Sequence, residues 1–322
     1  MNVEKVKELT DKLEEGLLKL KDSEEFKNYL TCMSKFHSYS YNNTLLIMMQ
    51  MPQATYVAGY NSWKNNFHRN VKKGEKGIRI LAPAPIKKMV ETQKTDNEGK
   101  SFIEQEEVTI PIFKPVTVFD VSQTEGDPIP ELISGELTNE VTGYKELKKA
   151  LYQVSEIPII VKVIEGGAKG YFDPNAHSIY INEGMSESQT IKTMIHEIAH
   201  SILHDHTKAE VKEEKKDRNV KEVEAESVAF TVCKHFGIDT DDYSFGYILG
   251  WSKDATLKEF KQSLETIQRC SSKLIGRIET NLIDLEKEKK SIRQRLSESK
   301  EKASRQQTKR KTKEKTHEFS HI

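Results

Sequence analysis

The 322-residue chain has only three cysteines, Cys32, Cys233 and Cys270, widely spaced and without a CxxC pair. An odd, dispersed set excludes a disulfide framework and reads as reduced thiols in a cytoplasmic protein. No stretch approaches the roughly 18 uninterrupted apolar residues that a spanning helix needs, so no membrane role is expected. Residues 1–20 are a charged amphipathic segment whose Glu and Lys interrupt each apolar run, unlike a secretory signal. Net charge is also missing: 50 Lys plus Arg oppose 50 Asp plus Glu. Overall charge therefore says nothing about a nucleic-acid partner, and its distribution along the chain has to be read instead. No internal repeat stands out. The length suits two ordinary domains, each able to bury its own core.

The order of elements predicts an α+β fold in two domains. Val6, Leu9, Leu13, Leu17 and Leu20 recur at helical spacing, giving one or two helices over 3–30, and a further helical stretch stops at Pro52. After Tyr56 the texture turns to strands: Ile78–Leu81, Ile86–Glu91, Phe102–Ile112 and Val116–Val121. Gly126-Asp127-Pro128-Ile129-Pro130 suits a linker. The second part reads as a helix (144–154), a strand (157–164), a glycine loop and a strand at 178–181. Helices follow at 187–204, at 220–236 and from Leu257 onward. Ser186 with Gln189 three residues later has the form of a capping box. The divisions expected are residues 1–130, 131–285 and a charged tail, 286–322, fraying from a helix into disorder.

The chemistry concentrates in His196-Glu197-Ile198-Ala199-His200. Histidines four apart on a helix project from one face and can share one cation. Ile191, Met194, Ile195, Ile198 and Ile202 give the same helix an apolar face. Glu197 is placed to act as general base on a zinc-activated water, the arrangement of a zinc metallopeptidase of gluzincin type. A third ligand should come from the next helix, where Lys221-Glu222-Val223-Glu224-Ala225-Glu226 carries three carboxylates. Glu222 and Glu226 share a face, so Glu222 is expected to bind zinc and Glu226 to orient a ligand histidine. Glu224 points away from that pair. His204 and His206 are expected to face solvent at the helix end. The strands around Gly170–Asp173 and Ser178–Ile181 look like a hairpin, with Ile179–Ile181 read as a core strand rather than a substrate-pairing edge.

The segment 34–79 interleaves Phe36, His37, Tyr39, Tyr41, Tyr56, Tyr60, Trp63 and Phe67 with Lys35, Lys64, His68, Arg69, Lys72, Lys73, Lys76 and Arg79; Glu75 is its one acidic residue. Aromatic faces that stack on bases and a basic groove that tracks phosphates are what a single-strand binder needs. Packing in a core accounts for the same aromatics equally well. The candidate DNA contacts are Tyr39, Tyr41, Asn43, Tyr60, Trp63, Lys64, Arg69, Lys72, Lys73 and Lys76.

Longer runs in the same region carry a resemblance. Phe36-His37-Ser38-Tyr39-Ser40-Tyr41-Asn42-Asn43, Leu45-Leu46-Ile47, Gln50-Met51-Pro52, Val57-Ala58-Gly59-Tyr60, Trp63, Val71–Gly77 and Ile80-Leu81-Ala82-Pro83 resemble the N-terminal domain of ArdC-type antirestriction proteins, including LtrC-like members from conjugative elements. Val118-Phe119-Asp120-Val121 with Gln123-Thr124-Glu125-Gly126 looks like that family's domain end. Residues 145–285 are similar to the zincin-like domain that follows in the same proteins, related to the ImmA/IrrE metallopeptidases. In those relatives the third ligand is a glutamate four residues before an Asp, Asn or Glu, which agrees with Glu222 and Glu226. Tyr247-Ile248 and Trp251 resemble a further family element. The resemblance implies single-stranded DNA as partner, zinc as cofactor, a protein substrate for the second domain, and antirestriction or protection of transferred DNA on a mobile genetic element. The alternative is a non-enzymatic strand-binding protein whose zinc is only structural.

Overall fold

A computed structural model describes residues 3–95, 101–129, 142–207, 217–238 and 256–318. The first three helices are α1 (Val3–Lys19), α2 (Ser23–Lys35) and α3 (Tyr41–Gln50). Leu9, Leu13 and Leu17 recur four apart along one face of α1 and are buried, as is Leu20 just beyond it. Asp22 starts α2 by accepting the backbone N–H groups of Glu24 and Glu25, and Ser40 starts α3 by accepting that of Asn43. The helical stretch before Pro52 is thus two helices with a turn at 36–40 between them.

Strands β1 (Val57–Gly59), β3 (Ile78–Pro83) and β6 (Phe113–Asp120) form an antiparallel sheet in the order β1-β6-β3, with the short helix α4 (Tyr60–Asn66) following β1. β2 (Arg69–Val71) pairs with β7 (Thr124–Gly126). β4 (Ile86–Thr95) and β5 (Ser101–Ile110) form a separate antiparallel ribbon. β3 lies at an edge of its sheet, and α3 covers that edge with two side-chain amides. Asn43 donates to Leu81 O and accepts from Leu81 N, both at 2.9 Å. Gln50, two helical turns on, repeats the pattern at Arg79, at 2.9 and 3.0 Å. The two amides stand in for a missing strand and satisfy backbone groups that would otherwise be open to another chain.

Asp120 closes this part. Its Oδ1 accepts Thr55 N (2.7 Å) and Tyr56 N (3.0 Å), and its Oδ2 accepts the Ser122 N–H and hydroxyl. Gln123 Oε1 accepts from the Asp120 backbone N–H, and its Nε2 donates to Lys76 O and Glu75. The runs at 118–126 and 71–77 are therefore knitted together at the end of the sheet.

In the second part α5 (Thr142–Val154) precedes a sheet of order β8-β10-β9, with β8 (Ile159–Lys162) parallel and β9 (Gly170–Asp173) antiparallel to β10 (Ser178–Asn182). The hairpin expected from sequence forms, and β10 is its central strand, with Ile179 and Ile181 fully buried. Helices α6 (Glu187–Leu203), α7 (Arg218–His235) and α8 (Leu257–Glu318) complete the fold. Ser186 caps α6, but Gln189 does not close the box: its side chain engages Lys169 and Thr193. The helix from Leu257 runs to Glu318 through a stretch rich in Lys, Arg, Glu and Gln, all good helix formers.

The two parts share one apolar core. α2 packs on α7, and the Phe26 ring lies 6.4 Å from that of Phe260 on α8. Gln268 of α8 donates to His37 O at 2.8 Å.

Candidate metal centre

α6 carries the centre because its two faces differ. Ile191, Met194, Ile195 and Ile198 are buried, while His196 and His200, one turn apart, are turned toward the start of α7. The two histidine Nε2 atoms lie 3.1 Å apart. Glu222 Oε2 lies 3.6 Å from that of His196 and 3.5 Å from that of His200. Bonds of about 2.0–2.1 Å to a tetrahedral ion place neighbouring donors about 3.4 Å apart. The triangle therefore fits one cation of that size, and two imidazoles with a carboxylate leave a position open for water or substrate, as catalytic zinc sites do.

Side-chain partners behind the histidines decide which nitrogens face the cation. Ser263 Oγ donates to Glu224 Oε1 at 2.6 Å, and His204 Nε2 lies 3.0 Å from Glu224 Oε2. A carboxylate only accepts, so the His204 Nε2 holds the proton and its Nδ1 is an acceptor. His200 Nδ1, 2.9 Å away, then donates to it, which leaves the lone pair of His200 Nε2 for the cation. The chain Ser263–Glu224–His204–His200 thus fixes one ligand's tautomer through three residues. For the other ligand, Glu226 Oε2 sits 3.1 Å from His196 Nδ1, a close ionic contact outside good hydrogen-bond alignment.

The electrostatics match a site built for positive charge. Burial alone would lower the His196 pKa, yet Glu222 and Glu226 outweigh it and push it up to about 10. Contacts with His196 and His200 hold Glu222 far below the ordinary carboxylate range despite its partial burial. Glu197 behaves oppositely. Desolvation raises its pKa, against the lowering pull of His196, His200 and the Phe172 backbone of β9. A cavity of about 380 Å³ beside it is lined by Gly170, Lys192, Thr193, His196, Glu197 and Glu226, among others. A Cβ at Gly170 would meet Thr193 Cγ2 at 2.6 Å and Tyr180 O at 2.9 Å. The missing side chain lets edge strand β9 lie flush against α6 at the rim of the cavity.

His196, His200 and Glu222 converge, with Glu226 behind them. His206 is exposed, whereas His204, expected at the surface, is buried because Glu224 on α7 gives it a partner. Glu224 does point away from the His196–His200–Glu222 triangle, but into the core at 0% exposure, where it anchors the relay. Nothing in the linear order links Ser263 to this centre; only the packing of α8 on α7 does. Tyr247, Ile248 and Trp251 lie outside the described residues.

The ten candidate DNA contacts divide. Trp63 is fully buried and donates to Phe119 O, Asn43 is occupied with Leu81, and Tyr39 donates to Val57 O. Tyr41 is packed on the core, and its carbonyl accepts from Tyr29. The Arg69 guanidinium is spent on Thr124, Gly126 and Asp127. These five hold the fold. Tyr60, 54% exposed, and exposed Lys64, one turn along α4, remain free to meet a ligand, with Lys72, Lys73 and Lys76 on the turn after β2. Lys72 reaches Ser122 O but stays exposed.

Fold and site define an α+β protein whose second part is of the zincin-like metallopeptidase type. The comparisons with known proteins narrow this. Residues 3–119 match the N-terminal domain of anti-restriction factor ArdC, and residues 160–269 match the IrrE N-terminal-like domain. The two matched domains follow one another along the chain in this order. It is 29% identical over 325 aligned residues to an uncharacterized protein of Bacillus anthracis, covering 90% of this chain and 54% of that one. The chain thus spans about half the length of that relative. It is also similar to two crystal structures of the antirestriction protein ArdC from plasmid R388. The metal-free form has 21% identity, a TM-score of 0.48 and coverage of 76% and 85% of the two chains. The Mn(II)-bound form has 20% identity, a TM-score of 0.46 and coverage of 75% and 84%.

Proposed function

We propose that this chain is an antirestriction-type protein of a mobile genetic element that binds single-stranded DNA through its first part, residues 1–130, and carries a zinc metallopeptidase centre in its second, residues 131–285. The observation that carries the hydrolytic half is the triangle of His196, His200 and Glu222 with buried Glu197 beside it. Those three residues would hold zinc, whose Lewis acidity would act on a water and an acyl carbonyl.

The chain's own groups supply the rest. Glu222 contributes negative charge that offsets part of the cation's. Glu226 and the Glu224–His204 pair hold the two imidazoles aimed at the cation site. Glu197, with a pKa raised by burial, takes a proton from the attacking water and returns it to the leaving amine. Edge strand β9 offers backbone groups along the cavity rim to an extended peptide, which is how an edge strand aligns a substrate chain. No helix among the described residues is long and apolar enough to cross a membrane.

For the DNA half, Tyr60 offers an exposed ring for base stacking, and Lys64, Lys72, Lys73 and Lys76 offer charge for phosphates. The deciding experiment combines metal analysis with two assays on the full chain. Glu197→Gln is expected to retain zinc and fold and to lose peptide hydrolysis; equal hydrolysis in variant and parent overturns the peptidase reading. Binding to single strands is expected to exceed binding to duplex and to weaken steeply with salt. A flat salt response removes the charged-face account. If a zinc-free His196→Ala chain still protects DNA fully, the metal has no part in antirestriction.

A further inference from the structure

A second histidine–histidine–glutamate group lies far from the first. His37 sits in the turn between α2 and α3, His235 ends α7, and Glu279 lies on α8. Thirteen residues along α7 separate His235 from Glu222, roughly 20 Å of helix. One ligand-capable atom from each of the three lies within 4.8 Å of the others. The His37 and His235 rings are 4.9 Å apart at 80°, close to the 4.6 Å and 75° of His196 and His200.

The protons show why this group is more than packing. His235 Nδ1 lies 2.8 Å from the carbonyl of Ser34, which can only accept, so that nitrogen carries the hydrogen. In the neutral ring Nε2 then presents a lone pair, 3.0 Å from Glu279 Oε1. Two lone pairs at that separation require positive charge between or upon them, either a proton or a metal ion. A proton would satisfy His235 and Glu279 alone and leave His37 unused. His37 Nδ1 is nonetheless buried without a hydrogen-bond partner, in a half-buried ring beside the pair.

We propose that His37, His235 and Glu279 form a second binding site for a divalent transition ion of the zinc class, fastening the α2–α3 turn to α7 and α8. Two imidazoles and a carboxylate are a donor set that suits zinc. Because His37 comes from the first part of the chain and its partners from the second, the ion is a cross-link between the two.

The test uses tag-free full-length protein equilibrated with zinc, washed with a weak chelator and assayed for metal content. The parent is expected to hold two zinc ions per chain, and both Glu279→Gln and His196→Ala to hold one. In the His196→Ala background zinc should still raise Tm, by about 5–10 °C at saturation. Adding Glu279→Gln should abolish that rise. Glu279→Gln preserves shape and an acceptor for a protonated His235, and its metal-free Tm reports whether the fold survives. His37→Gln gives the same readout from the other side of the junction. One ion in the parent and none in His196→Ala overturns the second site while leaving the first intact. A Glu279→Gln loss of Tm that is equal with and without zinc assigns the pair to a proton and also overturns it.

Discussion

Replacing His204 by alanine tests whether the relay behind His200 tunes the metal centre or merely fills space. The substitution removes the acceptor 2.9 Å from His200 Nδ1 and the donor 3.0 Å from Glu224, a carboxylate at 0% exposure. Two separable losses follow. The first falls on the ligand: without its acceptor, His200 can shift its proton to Nε2 and rotate, and removing such a support typically weakens metal binding about 10–100-fold. At about 1.4 kcal/mol per decade this is roughly 1.4–2.8 kcal/mol. The second falls on the fold: a buried charge-assisted hydrogen bond contributes about 1.5–3 kcal/mol. Zinc affinity is measured by competition with a chromophoric chelator, and metal-free stability by urea denaturation. Ser263→Ala, which leaves His204 in place, should show the second loss in milder form and little of the first. A His204→Ala chain that folds and binds zinc within twofold of the parent refutes the relay.

Other outcomes follow from single features. Asp120→Asn should lower stability by about 2–4 kcal/mol at neutral pH, because Asp120 accepts from Thr55, Tyr56 and Ser122. Burial tends to raise the Asp120 pKa, but those bonds outweigh it and leave it lowered. Its contribution is therefore complete above the unfolded carboxylate pKa of about 3.9 and is lost as pH falls below it, so the Asn variant should show a shallower acid transition in urea melts. Trp63→Ala should cost about 3–5 kcal/mol in the same assay, whereas Tyr60→Ala should leave stability within about 0.5 kcal/mol and weaken single-strand binding by about 1–3 kcal/mol. Gly170→Val should displace β9 from α6 and reduce peptide turnover while zinc content stays unchanged.

The metal triangle was legible from sequence because helical spacing is rigid: residues four apart share a face whatever surrounds them. Glu222 and Glu226 share a face of the next helix for the same reason, and the packing of α7 on α6 turns that face toward the histidines. His204 was misread because its spacing also fits a surface position, and only contact with α7 buries it. The aromatic and basic run at 34–79 was ambiguous since composition does not say which way a side chain points. The structure divides it by hydrogen bonding, with Trp63, Asn43 and Arg69 committed to backbone partners and Tyr60 left outside. Asn43 and Gln50 stood out as parts of a recognisable run, but their pairing with the edge of β3 depends on contacts 38 and 29 residues away in the chain. The group at His37 was invisible for a stronger reason: its partners His235 and Glu279 lie 198 and 242 positions further along the chain, and only the packing of the first part on α7 and α8 brings them together.

The packing of α2 against α7 and α8 makes the halves thermodynamic partners. A chain cut between them would leave Phe26 and Phe260 facing water, so each fragment would inherit an adhesive wound in place of an independent surface. In the intact molecule, nucleic acid bound by one half and a metal bound by the other would stabilise the same folded state. Each such ligand would suppress the opening motions that release the other, so that loss of metal would loosen the grip on a strand without any residue touching both.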